Sequence, residues 1–199
     1  MKFNKITLII TILIIITINC SKTIGSDVGL HQSNQLKFST SNKIISHAEF
    51  EQVDELMITW PRLYRLKIIE EPYFIDIVHA AEKAVHVRIN ANNNLYKNRV
   101  ISKLNEEGIP LDNITISITP TNSIWIRDYG PFFIEKKGEL SIVDFNYVGH
   151  FNRVIDDIYP TFYGIQNNIE YDFKTNFKLC IQGGNYMSDG NGLAMVANS

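Results

Sequence analysis

The residues best able to do chemistry lie together at Trp125-Ile126-Arg127-Asp128-Tyr129-Gly130-Pro131. Two aromatics flank an opposed charge pair, and Gly130-Pro131 forces the chain to change direction. The pair falls in a mixed segment, residues 124–134, whose apolar content reads as a strand. Charges there are costly unless they pair or bind something. A carboxylate facing a cleft takes a planar guanidinium through two parallel hydrogen bonds, and a Trp face attracts the same cation. Asp128 and Trp125 suit those two tasks, with Arg127 beside them. Residue chemistry alone supports equally a structural Arg127–Asp128 pair on a turn.

A second cluster runs Gln182-Gly183-Gly184-Asn185-Tyr186-Met187-Ser188-Asp189-Gly190. Paired glycines at a strand end let backbone approach a ligand or turn tightly. Gln182 and Asn185 can aim amide groups at a substrate, although the residues alone favour a plain Gly-rich hairpin.

The elements that position these clusters alternate. Residues 55–59 (ELMIT) read as a buried strand ending at Trp60-Pro61. Residues 72–84 read as a helix, with Pro72 in its first turn. Residues 85–89 (VHVRI) alternate as a strand. Residues 94–107 read as a helix with Leu95, Val100, Ile101 and Leu104 apolar, stopped by Gly108 and Pro110. Residues 114–118 form a β-branched strand, Lys137-Gly138 a hairpin turn, and 140–145 its returning strand. Residues 177–181 read as a short strand entering the Gly183-Gly184 turn. The order is α/β.

The N-terminus is different. Lys2 and Lys5 precede an apolar run at residues 6–18, the length of a signal-peptide core and short of the roughly 20 residues a span needs. Residues 1–20 are therefore expected to be a signal peptide, with the protein exported to the bacterial cell envelope or beyond. Cys20 closes the run where a lipoprotein carries its lipid-attachment Cys, but Thr17 and Asn19 depart from the usual pattern. Lipidation and ordinary cleavage stay open, and the signal peptide or a lipid anchor would be the chain's only link to a membrane. Residues 21–45 are polar and aperiodic and read as a disordered linker, with folding from residue 46 to 199.

Other features exclude function classes. Across 199 residues, 19 Lys and Arg oppose 21 Asp and Glu, for a net charge of −2, which leaves no general basic face for nucleic acid. Hydrophobic residues make up 45%, enough to bury a core. Cys20 and Cys180 are the two cysteines, and without a Cys/His cluster no metal site is expected. Cys180, inside a strand, reads as a buried, inert thiol. His79 and His86 read as surface or satisfied residues, and His150 as a loop residue.

Taken together, Trp-x-Arg-Asp-x-Gly-Pro, the later Gly-Gly-Asn-Tyr-Met-Ser-Asp-Gly, and Ala48-Glu49-Phe50-Glu51 with Trp60-Pro61 resemble the agmatine deiminase and bacterial, Porphyromonas-type peptidylarginine deiminase family over residues 47–197. The resemblance implies a pentein fold, a propeller of five ββαβ-type units, of which about three would be present here. It implies no cofactor and a small-molecule or peptidyl guanidinium substrate. A Cys thiolate would attack the guanidinium carbon, a His would move protons, and two acids would hold the cation. Asp128 matches the first of those acids, and Trp125 and Arg127 the residues shaping its pocket. Gln182 stands where many relatives carry Glu. The family's His-x-Asp motif and late nucleophilic Cys have no match here, so the chain reads as an inactive piece of a deiminase. The alternative is an exported lipoprotein that binds arginine-like cations without chemistry.

Overall fold

The computed structural model describes residues 44–62, 70–147, 153–173 and 180–197, with backbone alone at 171–173. All of them belong to one compact unit, residues 39–199. The signal-peptide segment, Cys20, most of the expected linker, His150 and residues 177–179 of the expected late strand lie outside the described residues.

The first half is a three-stranded parallel sheet, β2(Glu55–Thr59), β3(His86–Ala91) and β4(Ile114–Ile118), in that order. Helix α1(Glu70–Ala81) connects β2 to β3, and α2(Asn94–Glu106) connects β3 to β4. Helix α1 starts two residues earlier than expected, on Glu70 and Glu71, whose charge suits a helix N-terminus. It also stops earlier, giving way to a turn at 82–84. The Asn93 side chain caps α2 by accepting the Tyr96 N–H at 3.1 Å. At its other end Gly108 adopts φ 68°, and the Ile109 N–H returns to the Leu104 carbonyl at 2.9 Å. That closure leaves a conformation suited to glycine at position 108.

Alternation along β3 divides the sheet faces. Val87 and Ile89 join Ile58, Trp60, Val78, Val100, Leu104 and Ile109 in an apolar core beneath the helices. Leu95, expected on the apolar stripe of α2, is instead 75% exposed in the first turn of the helix. On the opposite face Arg88 pairs with Glu55 at 2.7 Å, and His86 meets Thr115 at 2.9 Å. Asn90 is fully buried there and donates to the Tyr159 hydroxyl at 2.7 Å.

The second sheet has the order β1(Ile44–Ile45), β5(Phe132–Lys136), β6(Glu139–Asp144), β7(Glu170–Phe173). The β5–β6 hairpin turns on Lys137 and Gly138, both at positive φ (57° and 83°), as a two-residue turn requires. Strand β1 corrects the linker reading, because Ile44 and Ile45 pair antiparallel with Lys136 and Glu135. Helices α4(Val154–Asp157) and α5(Tyr159–Asn167) precede β7, which lies parallel to β6. Tyr129, Tyr147, Tyr159 and Tyr163 gather around Ile142 in a second core, with rings of Tyr129 and Tyr159 edge to face at 5.5 Å.

Two further expectations change. Residues 126–129 are a short helix, α3(Ile126–Tyr129), and not strand, so the charged pair is turned outward while Tyr129 is buried. Cys180 is exposed and makes a single parallel bridge with Asn146; its neighbour Ile181 takes the buried position. The chain then forms a 3-10 turn, Gly183–Asn185, and a small hairpin, β8(Tyr186–Ser188) and β9(Ala194–Val196).

Tyr159→Phe tests the seam between the sheets. It leaves the buried Asn90 amide without its acceptor and should lower stability by about 2 kcal/mol. Urea unfolding should show a lower midpoint at unchanged slope.

Candidate guanidinium site on helix α3

Helix α3 is anchored through its buried last residue. The Tyr129 hydroxyl lies 3.0 Å from Thr59 Oγ1 and donates to the Ser123 carbonyl at 3.2 Å. Burial pushes that phenol far above its ordinary range, so it stays neutral. With Tyr129 fixed inward, Trp125, Arg127 and Asp128 are presented on the other sides of the turn. Gly130 then takes φ 89° and the cis Gly130–Pro131 bond leads into β5.

The 3-10 turn packs directly against α3. A Cβ on Gly183 would lie 1.9 Å from the Arg127 carbonyl oxygen, and one on Gly184 would lie 3.2 Å from Asp128 Oδ1. The glycines therefore permit close approach of backbone to helix, and the plain hairpin reading is corrected to a packed 3-10 turn.

Arg127 and Asp128 do not form the structural pair that sequence left open. The Arg127 guanidinium instead donates to Glu49, 78 residues earlier, and to the Tyr186 carbonyl at 3.0 Å. Partial burial draws Arg127 below its ordinary value; the charge of Asp128 opposes that, and an arginine remains a cation. Asp128 is half-buried against Gly184, and among the described residues its carboxylate has no hydrogen-bond or ion-pair partner. Trp125 stands 57% exposed at the start of α3.

Gln182 leads into the 3-10 turn and is half-buried. Asn185 ends that turn, its N–H bound to the Gln182 carbonyl at 2.9 Å and its own carbonyl accepting from Ala197 at 3.0 Å. The structure thus brings Arg127 and Asp128 against Gly183 and Gly184, while Asn185 is tied through backbone. Among the described residues no group of three or more His, Cys, Asp or Glu is placed to hold a metal. A recess of about 230 Å³ lined by Thr119, Pro120, Ile155, Ile158, Tyr159 and Phe162 carries no charge with which to hold a cation.

Residue types alone did not single out Glu49 or Tyr186 for the site. Glu49 reaches it from a strap, residues 44–51, laid across β5 and β8. Its one sequence signal was the resemblance carried by Ala48-Glu49-Phe50-Glu51.

The family model of Porphyromonas-type peptidyl-arginine deiminases matches residues 45–199. The chain belongs to that family. Solved structures agree on the α/β fold of this deiminase-family chain. A Campylobacter jejuni agmatine deiminase superposes with TM-score 0.60 at 19% identity, covering 79% of this chain and 46% of that one. A putative arginine deiminase from Porphyromonas gingivalis gives 0.65 at 19%, covering 76% and 46%. A putative agmatine deiminase gives 0.66 at 25%, covering 77% and 44%. The chain thus spans less than half the length of these structures.

Proposed function

We propose that Asp128 grips the guanidinium of an arginine-like substrate, in a site shared with Trp125 and bounded by Gly183-Gly184. The observation that carries this reading is the half-buried carboxylate of Asp128, unpartnered among the described residues, beside a resident arginine held by other groups. Two oxygens on one planar group match two parallel N–H donors of a guanidinium. The exposed Trp125 indole can offer a face to the same cation. Gln182 and Asn185 complete the proposed substrate-binding set.

The reaction proposed for a deiminase of the relatives' full length follows from the family. A Cys thiolate adds to the guanidinium carbon, ammonia leaves after proton transfer from a His, and water hydrolyses the covalent intermediate to a urea and regenerates the thiolate. Residues 1–199 offer the gripping acid, but no partner for the nucleophile or the His-x-Asp pair. The propeller of five units is likewise proposed for the whole fold. Agmatine and peptidyl arginine both present the required group. The apolar run at 6–18 supports export and favours a peptide.

Titration of the full 199-residue chain with agmatine and with an arginyl peptide tests the reading. Binding should appear by calorimetry, and Asp128→Asn should weaken it more than about tenfold by removing one charged acceptor. Neither citrulline nor carbamoylputrescine should form. Binding that ignores Asp128→Asn, or no binding of either compound, would overturn the assignment.

A further inference from the structure

Arg127 carries the same planar group that Asp128 is proposed to receive, and it is the next residue in the chain. Left unheld, it is a ready competitor for that carboxylate. The structure sends it elsewhere, to Glu49 and to the Tyr186 carbonyl at 3.0 Å. Both partners come from other segments, so the arrangement is not a local helix pair.

Glu49 is delivered by fixed backbone. Ile44 and Ile45 are paired into the sheet beside β5. The Ser46 hydroxyl lies 2.7 Å from the Tyr186 hydroxyl, and the Ser46 carbonyl accepts from Ser188 Oγ at 2.6 Å. His47 Nδ1 sits 2.7 Å from Glu51, and the Glu51 side chain lies against Gly190. The strap is thus stitched to the same small hairpin that supplies Tyr186.

The ion pair itself does little for stability. Glu49 and Arg127 side chains are 61% and 53% exposed, and pairs that open to water contribute little. Its effect on the neighbouring acid is larger. The formal charges of Glu49, Arg127 and Asp128 sum to −1, which attracts a cation; without Glu49 they sum to zero.

We propose that Glu49 is a positioning residue for the guanidinium site, holding Arg127 off Asp128 so that the carboxylate stays open and the local charge stays negative. The inference rests on Asp128 being the guanidinium-binding acid.

The test uses the full 199-residue chain with agmatine as probe. Glu49→Gln should weaken agmatine binding by about tenfold, as expected when a neighbouring full charge is lost. The melting temperature should hardly move. Glu49→Asp, which keeps the charge, should recover most of the affinity. A second readout needs no ligand: the Arg127 side-chain N–H resonance, assigned by its loss in Arg127→Lys. That resonance should shift in Glu49→Gln as Arg127 turns to Asp128, and shift again when Asp128→Asn is added. Undiminished binding in Glu49→Gln overturns the inference. So does an Arg127 resonance that Glu49→Gln leaves unmoved, or that shifts but ignores Asp128→Asn. If agmatine fails to bind even the unaltered chain, the proposed function falls, and the resonance arm still decides what Glu49 does.

Discussion

Replacing Asp156 by Ala should cost about 4 kcal/mol of stability, because it strips a buried acceptor from a part-buried cluster of donors. Asp156 is fully buried on α4. Its Oδ1 accepts the Asn122 N–H at 2.6 Å and the Ser123 N–H at 3.2 Å, and its Oδ2 accepts the Ser123 hydroxyl at 2.7 Å. Asn122 reciprocates by accepting the Ile155 N–H at 2.9 Å. The loop so clamped runs directly into Trp125, so its loosening should reach the proposed guanidinium site as well. Asp156→Asn keeps one acceptor oxygen but turns an N–H₂ toward donors, and should fall between Ala and the native residue. Equilibrium unfolding in urea ranks the three. Equal stability of Ala and Asp would mean that water satisfies those donors without help.

How far these features could be seen in sequence depends on the range of the interactions behind them. Strands β2 and β4 match their expected bounds, since each is a short apolar or β-branched run closed by Pro or Gly-type breakers. The Lys137-Gly138 turn was readable for the same local reason. Helix α3 was not, because four residues are too few to show a helical period. Helix α5 was missed differently. It buries Tyr159 and Tyr163 but leaves Phe162 and Ile165 exposed, so apolar residues ring it and blur the stripe. At Cys180 the short strand left its register unset, and a one-residue slip exchanges inward and outward faces. For the site, residue types named Asp128 and Trp125, but no local pattern could decide between an Arg127–Asp128 pair and a free acid. The partner that Arg127 takes instead, Glu49, lies far away in the chain.

Gly183→Ala should be nearly as damaging as losing the buried carboxylate, and for the opposite reason. Here the obstacle is backbone: the added methyl would fall 1.9 Å from the Arg127 carbonyl oxygen and 3.2 Å from Phe132 Cζ. A flexible side chain could swing aside, but the carbonyl belongs to the anchored helix α3. The 3-10 turn must therefore retreat, which strains the core by about 3 kcal/mol on the scale of overpacking. Retreat also withdraws Gly184 from Asp128, so agmatine binding should be lost together with stability. Gly184→Ala separates the two effects. Among the described residues its methyl would meet Asp128 Oδ1 alone, at 3.2 Å, so the fold should hold while the carboxylate is crowded. Thermal melts and agmatine titrations on both variants supply the comparison. A Gly183→Ala chain that melts like the native one would show that α3 and the 3-10 turn do not touch in solution, and the proposed guanidinium site would lose its wall.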